Sequence, residues 1–162
     1  MEPNEARKIT EKILATLDHS AMIPRVATDA DIAQCNADLE SLGLPLLPDD
    51  YVSFLQSTCG GLAWNGIEIY GTDIVSDPAS SRSYQLMDIV TKTDEGDDRY
   101  WERIETDCIY FGRSDEEVFT YNTETKKYEA RDLSDISFVY EAHDTIYAFI
   151  NAVVGGRLGY NN

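Results

Sequence analysis

Apolar positions follow two different periods along the chain, helical in the first third and alternating in the last. Ala6, Ile9, Ile13, Leu14 and Leu17 recur at helical spacing after Pro3 and Asn4, which predicts an amphipathic helix ending near His19. A second helix is predicted from Thr28, an N-cap residue followed by Asp29 and Asp31 in the first turn. Ile32, Cys35, Leu39 and Leu42 form its apolar stripe, and Gly43 and Pro45 stop it. Pro48 opens a third, with Asp49 and Asp50 placed against the helix dipole, Tyr51, Phe54 and Leu55 facing the core, and Gly60 and Gly61 ending it. Ile67 and Ile69, bracketed by Gly66 and Gly71, then predict a short strand entered through a tight turn.

The middle of the chain is less periodic. Residues 76–83 are rich in Ser, Asp and Pro and read as a loop, while 84–91 fit a helix or a strand equally well. Between 94 and 107, Tyr100, Trp101 and Ile104 allow a short helix. Alternation then takes over through Ile109 and Phe111, 118–121, 127–131, and Ile136, Phe138 and Tyr140, which predicts an antiparallel meander with a hairpin loop over 122–126. A final helix is predicted from His143 and Asp144, burying Ile146, Phe149, Ile150 and Val153 and ending at Gly155 and Gly156. Helices, then strands, then a helix give an α+β class with a central, mostly antiparallel sheet flanked by helices. The expected organisation is one domain over 1–162, with an N-terminal helix and a short C-terminal tail after about 156.

Charge narrows the choice of partner. The 162 residues include 30 Asp and Glu against 13 Lys and Arg, a formal net charge of -17. Such a chain repels phosphate backbones and anionic membrane surfaces, so neither nucleic acid nor membrane is an expected partner. The partner that charge favours is a basic protein, against the plainer reading that acidity serves solubility alone. The densest negative stretch holds Asp94, Glu95, Asp97, Asp98, Glu102, Glu105 and Asp107 against only Arg99 and Arg103. No apolar run reaches the ~20 residues of a membrane span, and the first 17 residues are too charged for a signal peptide. Cys35, Cys59 and Cys108 are odd in number and widely spaced, as expected of reduced thiols in the cytoplasm.

Catalytic chemistry finds little support. His19 and His143 are the only histidines. A cysteine hydrolase built on Cys59, His143 and Asp144 would place its thiolate at a predicted helix C-terminus, where the dipole disfavours it. Gly96 and Glu102 have the spacing of a calcium loop, but Thr91 and Thr93 stand where its carboxylates belong. No metal cluster or phosphate-binding glycine loop is present, and no cofactor is implied. Tryptophan is a common binding anchor: Trp64, beside Asn65-Gly66, is placed to expose part of its ring, and Trp101 sits at helical spacing from Ile104. The candidate partner-binding residues are Trp64, Asn65, Asp94, Glu95, Asp97, Asp98, Trp101 and Glu102.

The run from Leu47 through Pro48, Asp49, Asp50, Tyr51, Val52, Ser53 and Phe54 to Leu55, followed by Cys59-Gly60-Gly61 and by the run from Asn65 to Gly71, resembles the SUKH superfamily of Smi/Knr-type proteins. The turn Tyr110-Phe111-Gly112-Arg113-Ser114-Asp115, the hairpin through Tyr128 and the last helix fall in the order that family shows, over roughly residues 30–155. Cys59 departs from the pattern, standing where the family commonly has Asn. The resemblance implies an α+β fold and a role as an immunity protein that neutralises a secreted bacterial toxin, often a nuclease, by direct binding in the cytoplasm. Other members resemble intracellular regulatory modules with no toxin partner, the alternative role here, with the cysteine hydrolase as a third. Neither of the first two roles needs a catalytic residue.

Overall fold

In the computed structural model, residues 2–18, 20–73, 75–77, 82–84 and 108–159 are described. Helix α1 (Pro3–Thr16) ends earlier than its apolar stripe predicts, because the Asp18 carboxylate accepts the Ser20 amide at 2.9 Å and turns the chain. Helix α2 (Asp29–Ser41) begins with a capping box: the Thr28 hydroxyl accepts the Asp31 amide at 3.1 Å while the Asp31 carboxylate accepts the Thr28 amide at 2.9 Å. Arg25 adds an ion pair at 2.9 Å that, with these bonds, holds the Asp31 carboxyl down to about 2. Helix α3 (Asp49–Ser57) starts directly after Pro48 and buries Tyr51, Phe54 and Leu55.

Eight strands and one more helix follow among the described residues. They are β1 (Leu62–Trp64), β2 (Ile67–Ile69), β3 (Val75–Asp77), β4 (Arg82–Tyr84), β5 (Cys108–Arg113), β6 (Glu117–Asn122), β7 (Lys127–Asp132), β8 (Val139–His143) and α4 (Ile146–Arg157). Six strands form an antiparallel sheet in the order β1-β2-β5-β6-β7-β8, while β3 and β4 pair as a separate hairpin. The protein is α+β, a sheet flanked by helices, and the predicted meander is β5 to β8.

Four local expectations are corrected. Strand β1 precedes the predicted strand, joined to it by Asn65 and Gly66, whose φ values of 50° and 80° make the two-residue turn that suits strand twist. Both ends of the loop expected over 76–83 are strand instead, Ser76 and Asp77 of β3 pairing with Ser83 and Arg82 of β4, tertiary pairing overriding the weak strand preference of Ser and Asp. Helix α4 begins after Thr145, whose hydroxyl accepts the Ala148 amide at 3.1 Å, and His143 is instead the last residue of β8. It also runs through Gly155 and Gly156, stopping only before Gly159 at φ 78°, because glycine permits a helix end without forcing one. The expectations for 85–91 and 94–107 fall outside the described residues.

One face of the sheet packs on α3 and α4 through aromatic rings. Phe149 of α4 meets Phe111 at 5.0 Å and Phe119 at 4.9 Å between ring centres, both edge-on, and Tyr51 of α3 meets Phe111 at 5.7 Å. The Tyr51 hydroxyl donates to the Tyr70 carbonyl. Helix α1 packs on α4, where the buried Asn151 amide donates to the Ala6 carbonyl at 3.0 Å.

Asp50 joins three elements. Its carboxylate accepts the Tyr128 hydroxyl of β7 at 2.6 Å and the Ile146 amide at the start of α4 at 2.8 Å. Hydrogen bonds to a charged group are worth about 1.5–3 kcal/mol each, so Asp50→Ala should destabilise the fold by about 3 kcal/mol, part of it from the stranded Tyr128 hydroxyl. Asp50→Asn keeps one acceptor and should cost less; urea denaturation of the two variants measures the difference.

Candidate protein-binding surface

The structure separates the predicted partner-binding residues. Trp64 is only 8% exposed and belongs to the core, which corrects the expectation of a partly exposed ring: pairing with Ile67 across the hairpin turns the indole inward. Asn65 is exposed at the turn, and its carbonyl accepts the Arg157 guanidinium from the end of α4. Asp94, Glu95, Asp97, Asp98, Trp101 and Glu102 lie outside the described residues.

Next to that turn stands an acidic surface. A Cβ at Gly66 would come within 2.8 Å of Asp115 Oδ2, so the Asn65-Gly66 turn touches the β5–β6 turn. Asp115, Glu116, Asp132, Leu133, Ser134 and Tyr140 line a shallow depression of about 350 Å³. Two side-chain-capped turns build it. In the first, Ser114 Oγ accepts the Glu117 amide at 3.0 Å. In the second, Asp132 accepts the Ser134 amide at 2.8 Å, the Ser134 hydroxyl at 2.6 Å and the Tyr140 hydroxyl at 2.7 Å. These bonds, that of the Ser134 hydroxyl foremost, hold the Asp132 carboxyl down to about 2, so it stays ionised in any physiological medium. Leu133 ties the turns together by donating its amide to the Glu116 carbonyl at 3.0 Å.

Beside the depression, Phe138 is 54% exposed, Val139 38% and Tyr140 51%, and the two rings meet edge-on at 5.2 Å. The surface therefore offers aromatic area beside the carboxylates of the depression, with Asp135 and Glu141 close by in sequence. This combination suits cationic, partly apolar side chains of another protein.

The proposed nucleophile is poorly prepared for chemistry. The Cys59 thiol is buried, and burial pushes it up to about 11, outweighing the opposing hydrogen bond from Gly61. The His143 ring lies 6.0 Å from Phe149, with Nε2 3.7 Å from Glu141. Among the described residues, no helix is long and apolar enough to cross a membrane, and no group of three or more His, Cys, Asp or Glu side chains is placed to hold a metal ion. No family model matches the chain, and no curated protein matches it.

Proposed function

We propose that the protein is a cytoplasmic immunity-type module that neutralises a basic bacterial toxin domain by direct contact. The observation that carries this reading is the acidic and aromatic surface over Asp115, Glu116, Asp132 and Tyr140, on a chain whose formal net charge is -17. The run from Leu47 to Leu55 with Cys59-Gly60-Gly61 supports it through its resemblance to SUKH proteins. A buried thiol pushed up to about 11 supports a binding role over hydrolysis. Asn65, at the edge of the surface, and the acidic stretch at Asp94, Glu95, Asp97, Asp98 and Glu102 extend the proposed contact, while a buried Trp64 contributes by supporting the turn.

The test is protection: a large secreted protein with a variable C-terminal domain should be encoded beside the gene, cells expressing the chain should survive that domain, and purified chain should bind it. Converting Asp94, Glu95, Asp97 and Asp98 together to Asn or Gln should slow association and flatten its salt dependence, with the melting temperature unchanged, because clustered negative charge steers a basic partner over a Debye length of about 8 Å. Binding of a basic partner without protection would favour the regulatory module.

A further inference from the structure

The two ends of the main sheet are finished differently. At the β1 end, Met22 forms an antiparallel bridge to Ala63, with both backbone hydrogen bonds at 2.8 Å, and the Pro24 carbonyl accepts the Gly60 amide at 3.1 Å. At the β8 end, no strand among the described residues pairs with the outer side. An open edge presents unpaired backbone donors and acceptors, which proteins ordinarily blunt with Lys, Pro or a bulge. Strand β8 reads Val139-Tyr140-Glu141-Ala142-His143, without Lys or Pro. Its register shift falls at Tyr140, leaving Glu141, Ala142 and His143 in regular register opposite Ala130, Glu129 and Tyr128.

We infer that the outer edge of β8 accepts an extended, Lys- and Arg-rich segment of a partner protein as an added strand. Backbone pairing would supply affinity, and the side chains beside it would supply choice. Phe138, Val139 and Tyr140 offer apolar contact, and Glu116, Asp132, Asp135 and Glu141 offer anions to alternate cations. The cations nearby are engaged within the fold, Lys127 with Asp144 and Arg131 with Glu129. A second copy of this chain is a poor occupant, because it would bring the same carboxylates and a formal net charge of -17 to the contact. The inference rests on the protein-binding role, not on the partner being a toxin.

The probe is a synthetic peptide of about eight residues, enough for one strand, alternating Lys and Val. Titrated into the full chain, it should slow hydrogen exchange of the outward-facing amides within Val139–His143. The same peptide with a central Pro, or with Glu for Lys, should leave that exchange unchanged. A chain carrying Glu116→Lys and Glu141→Lys, shown by its melting temperature to be folded, should bind about tenfold more weakly. No protection of β8, protection at the β1 end instead, or a self-associated chain whose own β8 contact excludes the peptide would overturn the inference. The peptide reads the edge without a toxin, so a negative result leaves the immunity role standing, and a failure to protect cells leaves the edge result standing.

Discussion

Replacing Phe54 by Ala should destabilise the protein by about 3–5 kcal/mol, the usual cost of deleting a fully buried aromatic ring. Phe54 is fully buried, 6.0 Å from the Tyr51 ring and 6.1 Å edge-on from Tyr147 of α4. The cavity would close poorly, since Tyr51 is held by its hydroxyl to the Tyr70 carbonyl and Tyr147 by the helix it belongs to. Helix α3 has only 9 residues, too few to persist without tertiary packing, so the ring stabilises the helix as well as the core. Loss of α3 would also release Asp50 from β7 and α4. Denaturant titration measures the change, with Phe54→Leu as a milder control; a midpoint that does not move would place the ring outside the core.

The same helix shows why some elements were legible in the sequence. In α2, α3 and the strands from β5 to β7, apolar pattern and observed element agree, and the predicted core residues Tyr51, Phe54 and Leu55 are buried. The alternation of Ile136, Phe138 and Tyr140 misplaced the last strand, since β8 runs Val139–His143 and both Phe138 and Tyr140 are exposed. Of the 3-residue strands, β2 was legible from Ile67 and Ile69, but β1 was not: Leu62, Ala63 and Trp64 are all buried and show no alternation, so β1 has no period to read. Glycine misled at α4 because its presence does not reveal whether a positive φ is needed. At Cys59-Gly60-Gly61 its role is spatial. A Cβ on Gly60 would lie 1.8 Å from the Arg25 carbonyl oxygen, and one on Gly71 would lie 2.0 Å from that of Gly60, so three backbone segments stack there. The left-handed φ of 135° falls on Gly61, so Cys59 keeps an ordinary backbone conformation.

The candidate binding surface was less legible because folding assembles it. Asp115 and Glu116 end one strand pair and Asp132 begins the next turn, and only the register that sets Glu117 opposite Asp132 brings them together. Charge clustered along the chain, as over 94–107, is visible as a run, whereas charge clustered by a hairpin leaves no run to count. The available signal was local: Asp132-Leu133-Ser134 and Asp135-Ile136-Ser137 both repeat the Asp-x-Ser pattern of side-chain-capped turns, and Asp135 accepts the Ser137 hydroxyl at 2.6 Å. That pattern identifies turns, and the exposure of Phe138 and Tyr140 is what makes them a surface.

On the sheet face opposite Phe119 and Ala130, Glu129 and Arg131 of β7 form an ion pair at 2.9 Å with side chains only 6% and 14% exposed. Arg131 also donates to the Ile136 carbonyl at 3.2 Å, in the turn leading to β8, and so links the pair to the chain just before the exposed Phe138. Removing one partner strands the other: Arg131→Leu should cost about 3–5 kcal/mol, because the Glu129 carboxylate would remain buried without its cation. The double variant Arg131→Leu with Glu129→Leu should recover much of that loss, since apolar pairs of similar size replace buried ion pairs at little cost. Urea denaturation of the three proteins at neutral pH measures both the loss and the recovery. A single variant as stable as the parent at neutral pH would show that the pair is solvated, leaving the turn before β8 supported by its backbone bonds and Asp132 alone.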